Sequence, residues 1–367
     1  MRIMENGTIL MLKSLAAVVL VMSVTVTVAN FVLTIKGGNN VFRPFDTNIS
    51  TRLNILNKTA KEKHKYISHF KVEGLKNVTE NVRPSNKDSK EVHLGEHVGL
   101  ATKEKCHKRL PQVIIAGQYK SGTGALTEFL NEHPQIFACR ESGDIQFFDK
   151  YYISRGFRWY RNIMPCTFKT QITIEKTAHY FLHPIAGLRI HDMNPKSKII
   201  IILKDPVTVA ASLYAMWRAH KDHRANEFLF ERMVTMFSGI TLQINPNSGI
   251  IRTSSYVEPM QRWINLFNRT QLLILDGNAF DKHPLGSLMK VEKFLNVKHF
   301  FSMEQFVYNS TKGKYCFRRA NKTVLCLPEE KGRPHPDISA EVVKLLTDYF
   351  KPITKRLFEI INQTFPW

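Results

Sequence analysis

The segment QVIIAGQYKSGTGA, residues 112–125, decides the fold of this chain. Its apolar run from Val113 to Ala116 predicts a buried strand, and a helical pattern begins at Ala125. The loop between them contains three glycines, Gly117, Gly122 and Gly124. Glycine lets a backbone approach an anion closely, and the first turn of a helix offers unpaired N–H groups at the positive end of its dipole. The segment therefore predicts an anion-binding loop, with an ordinary strand–helix turn as the alternative.

The order of residues in this P-loop-like turn differs from that of nucleotide triphosphatases. Their pattern, GxxxxGK[ST], places the lysine after the glycine-rich loop. Here Lys120 comes before Gly122 and Thr123. A nucleotide triphosphatase is therefore the least favoured function, together with a nucleic-acid binder.

Strand and helix patterns alternate along the chain beyond Cys106. Further strands are predicted at Gln171–Glu175, Lys198–Leu203 and Gln271–Leu275, and helices near Ala125–Asn131, Val207–Ala219 and Val257–Phe267. Such alternation predicts an α/β domain with a parallel sheet covered by helices on both faces. Ligands of these sheets bind at the carboxyl ends of the strands.

Charged and polar residues follow several of the predicted strands. The tripeptides Glu175–Thr177 and Lys204–Pro206 each come directly after a strand, and Ser212 lies two turns into the next helix. Lys331–Arg333 forms a second basic turn that contains a glycine. Any one of these lysines could be an ordinary surface residue. Together they favour a site for one nucleotide that carries phosphates at two ends.

The charge of the chain also favours an anionic partner. Lys and Arg number 52 against 31 Asp and Glu, which gives a formal net charge of +21. Such a surface attracts nucleic acid, an anionic membrane or an acidic polysaccharide, and charge by itself does not choose among them.

The N-terminal region predicts a membrane anchor. Residues 15–35 contain no charged side chain and are long enough to span the hydrocarbon layer as a helix, with a buried core helix as the alternative. We therefore expect a cytoplasmic tail at 1–14, a transmembrane signal-anchor at 15–35, a lysine-rich lumenal stem at 36–105 and a globular domain at 106–367.

Glycosylation signals and cysteines favour a lumenal location for the globular domain. N-x-[ST] triplets begin at Asn48, Asn57, Asn77, Asn268, Asn309, Asn321 and Asn362. Cys316 and Cys326 are close enough in sequence to form a disulfide in an oxidising compartment. Cys106, Cys139 and Cys166 leave an odd number, so at least one of them is a thiol or pairs between chains. These features predict a type II membrane protein.

Several motifs resemble the Golgi polysaccharide sulfotransferases. QYKSGTGALTEFLNEHP is similar to their 5′-phosphosulfate loop, and SKIIIILKDPVTVAASLY is similar to their 3′-phosphate strand, loop and helix. The resemblance extends from Cys106 to the C-terminus through DIQFFDKYYISRGFRWYRNIMP, ITIEKTAHYF, QLLILDG and KGRPHPDIS. The most similar patterns belong to the heparan sulfate sulfotransferases, both the glucosaminyl 3-O type and the N-sulfotransferase domains.

The resemblance implies 3′-phosphoadenylyl sulfate (PAPS) as donor, the 3-O or N position of a heparan sulfate glucosamine as acceptor, no metal, and a Golgi membrane location. Lys204 and Ser212 would bind the 3′-phosphate, and Tyr315 would lie beside the adenosine. The remaining cofactor-binding positions that the resemblance implies are Lys120, Ser121, Gly122, Thr123 and Gly124 for the phosphosulfate, and Lys331, Gly332, Arg333, Pro334 and His335 in a segment that closes over the cofactor.

The implied chemistry is an in-line sulfuryl transfer. Negative charge grows on the leaving phosphate, and Lys120 and Lys331 would stabilise it in the transition state. The acceptor must lose a proton, and Asp144 stands where these families place a glutamate base. Lys176 would pair with Asp144 and orient the acceptor, and Glu141 is the alternative base.

The chain also departs from the family patterns. Gln146 replaces the histidine of the 3-O type, and Met216 replaces a histidine of the N type, for which His220 one turn later could substitute. Lys204, Val209 and Gly124 stand where arginines are usual, and a lysine lacks the bidentate fork of arginine. Transfer to another glycan such as chondroitin, or a glycan-binding pseudoenzyme of the same fold, therefore stay open as alternatives.

Overall fold

The computed structural model describes residues 105–139, 143–311, 313–328 and 333–367. The predicted tail, the anchor and the stem up to residue 104 lie outside these ranges, as do Glu141, Lys331 and Gly332. Within the ranges that are described, no helix has both the length and the apolar character needed to cross a membrane.

The strands are β1 (His107–Lys108), β2 (Val113–Gly117), β3 (Ile136–Ala138), β4 (Cys166–Thr167), β5 (Ile172–Lys176), β6 (Lys198–Leu203), β7 (Thr235–Ser238), β8 (Thr241–Ile244), β9 (Leu272–Asp276), β10 (Phe306–Asn309), β11 (Lys314–Arg318) and β12 (Val324–Leu325). The α-helices are α1 (Thr123–Leu130), α2 (Tyr152–Ile163), α3 (Ala186–Met193), α4 (Pro206–Ala219), α5 (His223–Glu227), α6 (Phe230–Val234), α7 (Gly249–Thr253), α8 (Val257–Leu266), α9 (Gly277–Lys282), α10 (Pro284–Leu295) and α11 (Ala340–Ile361). A π-helical turn (Phe147–Tyr151) precedes α2, and short 3₁₀ helices occur at Ala178–Phe181, Arg269–Gln271 and Met303–Gln305.

A five-stranded parallel sheet forms the centre of the domain, in the order β3-β5-β2-β6-β9. The pairs Ile115–Lys176, Ile114–Ile199 and Ile200–Leu273 set its register. This arrangement confirms the predicted parallel sheet, and the four predicted strands differ from the observed ones by no more than one residue at either end.

Alternate residues of the central strands face opposite sides of the sheet, because successive side chains of a strand point to opposite faces. On one side, Ile199 and Ile201 pack in a cluster with Trp263 of α8 and Tyr160 of α2. On the other side, Ile200 and Ile202 belong to a cluster with Phe129 of α1. Both faces are therefore covered, which explains why β6 is an unbroken apolar run.

The turn after β6 is fixed by a helix cap. The Asp205 carboxylate accepts hydrogen bonds from the backbone N–H groups of Val207 and Thr208, and Pro206 occupies the first turn of α4. Such a cap satisfies N–H groups that have no partner inside the helix. Asp205 is therefore a structural residue that fixes the position where Lys204 leaves the strand.

Two disulfides lie outside the central sheet. Cys316 of β11 pairs with Cys326, as the sequence predicts, within the antiparallel sheet β10-β11-β12. Cys106 pairs with Cys166 beside the short β1-β4 ladder. Cys139 keeps its thiol, which donates to the carbonyl oxygen of Ile163 at 3.1 Å. The predicted odd cysteine is therefore Cys139.

Candidate active site

The anion-binding loop joins β2 to α1 at the carboxyl end of the sheet. Gln118 anchors its start, because the backbone N–H donates to the Ile202 carbonyl at 2.8 Å and the side-chain amide donates to the Thr253 carbonyl at 2.5 Å. Gly122 has φ +107° and forms the N-terminal cap of α1. A left-handed backbone of this kind favours glycine, so the sequence of the loop follows from its shape.

A second glycine, outside the loop, holds the loop against the end of β9. A Cβ added to Gly277 would lie 2.5 Å from the Ser121 carbonyl oxygen and 2.9 Å from that of Leu203. The turn between β9 and α9 therefore packs directly on the backbone of the anion-binding loop. The motif QLLILDG contains this glycine, but only the fold shows what it touches.

Four of the predicted cofactor-binding residues lie in one cationic cluster at this end of the sheet. The Ser212 hydroxyl is 2.7 Å from His335 Nε2. Partial desolvation, followed by the charges of Lys204, Lys120 and Lys314, lowers the pKa of His335. The structure thus brings Lys120, Lys204, Ser212 and His335 together, and it adds Lys314, which the sequence analysis did not select.

A carboxylate that was not predicted also lies in this cluster. Lys204 Nζ donates to Asp281 Oδ2 at 2.5 Å, and Lys314 Nζ lies 3.4 Å from the same oxygen. The Lys204 side chain is only 7% exposed, so Asp281 compensates a buried charge. Asp281 was not predicted as a site residue, although it comes one turn after the glycine of QLLILDG, in the helix that follows β9.

The remaining predicted cofactor residues lie nearby in sequence or outside the described ranges. Tyr315 follows Lys314 in β11, and its ring centroid is 6.5 Å from that of His283. Arg333 and Pro334 directly precede His335 in a segment without regular secondary structure. No group of three or more His, Cys, Asp or Glu side chains within the described part of the chain is arranged to hold a metal ion.

The predicted acceptor carboxylate is held by two donors. Lys176 Nζ donates to Asp144 Oδ1 at 2.6 Å, and the backbone N–H of Ala178 donates to Asp144 Oδ2 at 3.1 Å. The side chains of Asp144 and Lys176 are 18% and 12% exposed. The structure therefore forms the predicted ion pair at the end of β5, with its carboxylate still open to solvent.

A buried hydrogen-bond network connects the Asp144 loop to β5. The Gln146 backbone N–H donates to the Thr177 hydroxyl at 3.0 Å, which donates to Glu175 Oε1 at 2.6 Å. The hydroxyl of Tyr160 donates to Glu175 Oε2 at 3.1 Å. Burial raises the pKa of Glu175 to about 8. Gln146 therefore joins this network through its backbone N–H, and the buried carboxyl group of Glu175 accepts hydrogen bonds from both Thr177 and Tyr160.

A histidine–aspartate pair lies beside the acceptor carboxylate. His179 Nδ1 is 2.6 Å from Asp149 Oδ2, and the Asp149 side chain is only 4% exposed. Burial opposes ionisation of Asp149, but the hydrogen bond and charge of His179 outweigh it and lower the pKa of the carboxyl. His179 lies in the motif EKTAHYF but was not predicted as a site residue, because its partner Asp149 lies 30 residues away in the sequence.

Tyr119 connects the two ends of the site. It belongs to the anion-binding loop, and its ring centroid lies 5.8 Å from that of His179. Burial, followed by the charges of Asp144 and Asp149, raises the pKa of Tyr119. The predicted anion-binding loop and the carboxylates of Asp144 and Asp149 therefore belong to one site. His220 is not among these groups, because it caps the C-terminus of α4 as an exposed residue.

The comparisons with known proteins agree with this geometry. The sulfotransferase domain family matches residues 110–363. The chain is 34% identical over 287 residues to heparan sulfate glucosamine 3-O-sulfotransferase 5 of Mus musculus, and the aligned region covers 78% of this chain and 79% of the relative. It is also 35% identical over 269 residues to heparan sulfate glucosamine 3-O-sulfotransferase 3B1 of Mus musculus, and this aligned region covers 71% of this chain and 65% of the relative.

Among solved structures, a sulfotransferase from Alicyclobacillus acidocaldarius has a similar fold. Its TM-score is 0.52 at 18% sequence identity, over 70% of this chain and 97% of that chain. At this identity the likeness concerns the fold alone.

Proposed function

The chain belongs to the sulfotransferase domain family, as its motifs predict, and we propose that it transfers a sulfuryl group from PAPS to a glucosamine of heparan sulfate, at the 3-O or the N position. One observation carries this proposal. The ring centroid of Tyr119, in the predicted anion-binding loop, lies 5.8 Å from that of His179, which contacts Asp149 and directly follows Ala178, whose N–H donates to Asp144, so a bound anion and a proton acceptor would face the same space. The names of the curated relatives favour the 3-O position.

The cationic and hydrogen-bonding groups of the site fit a nucleotide with phosphates at two ends. The loop from Lys120 to Gly124 offers a lysine and the N-terminus of α1, which suits the phosphosulfate. Lys204 and Ser212 would bind the 3′-phosphate, with Tyr315 beside the adenosine. Arg333, Pro334 and His335 would cover the cofactor, together with Lys331 and Gly332, which lie outside the described ranges. When bound, PAPS supplies the sulfuryl group.

The residues at the acceptor end would prepare the hydroxyl or amine for attack. Asp144 would accept its proton, while Lys176 and the Ala178 N–H keep the short carboxylate in place. Lys120, with the predicted help of Lys331, would stabilise the charge that develops on the leaving phosphate. Such preorganised charges act mainly in the transition state and therefore raise the rate.

We also propose that the enzyme is a type II membrane protein of the Golgi with its catalytic domain in the lumen. The uncharged stretch at residues 15–35 supports an anchor. Two disulfides suit an oxidising compartment, and the sequon residues Asn268, Asn321 and Asn362 are exposed.

Radiolabelled PAPS offered to the full-length chain with desulfated heparin tests the proposed activity. We expect label in the polysaccharide, and disaccharide analysis of the product would assign the 3-O or the N position. Chondroitin serves as the competing acceptor, and label in chondroitin alone would assign the enzyme to another glycan. Intact donor binding without transfer to any glycosaminoglycan would instead identify a glycan-binding pseudoenzyme.

A further inference from the structure

Two lysines share one carboxylate oxygen at the donor end of the site. Asp281 Oδ2 accepts from Lys204 Nζ at 2.5 Å and lies 3.4 Å from Lys314 Nζ. The three residues come from different elements, since Lys204 follows β6, Asp281 belongs to α9 and Lys314 begins β11. Only the folded chain creates this arrangement.

Lys204 is the fixed member of the group. Its side chain is 7% exposed, and its backbone carbonyl accepts a hydrogen bond from the Tyr256 hydroxyl at 3.0 Å. A Cβ on Gly277 would lie 3.4 Å from the Lys204 Cβ, so the start of α9 packs against this lysine. The side chains of Asp281 and Lys314 are more accessible, at 31% and 30% exposed. A ligand that reaches Lys204 therefore meets Asp281 and Lys314 as well.

The charges of the cluster converge on the proposed 3′-phosphate site. His335 forms a hydrogen bond with Ser212, and Lys204, Lys120 and Lys314 all act electrostatically on its imidazole. Lys314 therefore belongs to the same positive field as the residues that would bind the phosphate. Asp281 is the carboxylate that partly neutralises this field, because it pairs with two of the three lysines.

We propose that Lys314 is a further binding residue for the 3′-phosphate. Asp281 is then an internal counter-ion, and the phosphate displaces it from Lys204 and Lys314 when the nucleotide binds. This inference rests on the proposed function, since it assumes a donor with a 3′-phosphate. A phosphate carries more negative charge than a carboxylate and offers three oxygens, so it can replace Asp281 on both lysines. Binding must also overcome the two ion pairs with Asp281, so this residue lowers the affinity of the site for the 3′-phosphate.

Calorimetry with two nucleotides distinguishes an effect on binding of the 3′-phosphate from an effect on nucleotide binding in general. The full-length chain and its Asp281→Asn and Lys314→Met variants are titrated with 3′-phosphoadenosine 5′-phosphate and with adenosine 5′-monophosphate, which lacks the 3′-phosphate. We expect Asp281→Asn to tighten binding of the first nucleotide about tenfold, the scale of one charge-assisted hydrogen bond. Lys314→Met should weaken it by about as much, and the affinity for the monophosphate should stay unchanged in both variants.

The exposed pair Lys344–Asp348 on α11 supplies matched controls. It has the same residue types at 2.6 Å, with side chains 78% and 59% exposed. Lys344→Met and Asp348→Asn should bind both nucleotides like the unmodified chain. Thermal unfolding of each variant checks its fold, and Lys314→Met tests the inference by itself if Asp281→Asn does not fold.

The outcomes distinguish the inference from the function on which it rests. If the unmodified chain binds neither nucleotide and transfers no sulfate, the proposed function fails. If it binds and transfers, but both variants change the two nucleotide affinities equally or not at all, the inference alone is overturned. A weaker affinity of Asp281→Asn for the 3′-phosphorylated nucleotide would also overturn it, because Asp281 would then merely hold the lysines in place.

Discussion

The two ends of the site each contain a lysine–aspartate pair, and the pairs differ in which partner is fixed. At the acceptor end, Asp144 is held by Lys176 and also by the backbone N–H of Ala178. At the donor end, Lys204 is the buried member, and the same carboxylate oxygen of Asp281 contacts both Lys204 and Lys314. At one end the lysine and a backbone N–H hold the carboxylate in place, whereas at the other end the carboxylate neutralises a buried lysine. Two ion pairs with similar distances, 2.6 and 2.5 Å, therefore differ in which partner the surrounding structure holds.

The largest expected effect comes from Asp144→Asn, which tests the acceptor end. An amide cannot accept the acceptor proton, so turnover should fall about 100-fold or more, the usual contribution of a general base. Binding of 3′-phosphoadenosine 5′-phosphate should remain unchanged, since the variant leaves the donor end intact. Sulfate transfer and calorimetry measure the two quantities, with Asp348→Asn as the control. Near-native turnover would contradict the role of Asp144 and direct attention to Glu141.

Gly277→Ala tests the donor end through its backbone. The added methyl would lie 2.5 Å from the Ser121 carbonyl, so the anion-binding loop must shift. Overpacking of this kind costs about 1–3 kcal/mol, which corresponds to a loss of donor affinity of about tenfold or more if the loop takes up the strain. Gly286→Ala is the control, because its Cβ would meet nothing within 4 Å. Unchanged donor affinity in Gly277→Ala would show that the loop position is not important for binding.

His179→Ala tests whether the acceptor end extends beyond Asp144. The variant removes the partner of Asp149, whose side chain is 4% exposed, and changes the surface beside Tyr119. We expect the acceptor KM to rise about fivefold, on the scale of one hydrogen bond, and the donor KM to stay constant. His191→Ala, whose ring packs on Phe267, is the control. A rise in the donor KM alone would place His179 at the wrong end of the site.

The last prediction concerns stability rather than catalysis, through the pH dependence that Glu175 causes. Burial raises its pKa from 4.5 to about 8. The folded state therefore binds more protons than the unfolded chain between these values, and stability should decline as pH rises through this window, by no more than about 1.4 kcal/mol per pH unit. Glu175→Gln should flatten this decline in urea unfolding measured at several pH values, whereas Glu304→Gln, an exposed control, should not. An unchanged decline in Glu175→Gln would exclude Glu175 as its source.

Most of the central sheet could be predicted because its strands are continuous apolar runs. The bounds of β6 agree with the prediction, and β2 differs by one residue. Neither β3 nor β11 was predicted. With only three residues, β3 leaves too little periodic signal to separate it from a loop. The sequence of β11, KYCFR, has five residues like β2 but is charged at both ends and is not a continuous apolar run.

The cysteines show the same limit. Cys316 and Cys326 are ten positions apart, and their pairing follows from proximity in the sequence. Cys106 and Cys166 are separated by 60 positions, so only the fold brings them together. The sequence therefore could not identify the remaining thiol, and the structure shows that it is Cys139.

The sequence by itself determined the fold class, the anion-binding loop and the family, because these depend on local patterns of apolar residues, glycines and motif order. It also selected Lys120 and Lys204 at the ends of strands, Ser212 in the helix that follows, and Asp144 through the resemblance to the family. The tertiary structure alone showed that Lys204 meets Asp281, which lies 77 residues away in the sequence. Backbone preferences act between near neighbours, whereas the partner of a buried charge depends on the packing of elements that are distant in the chain.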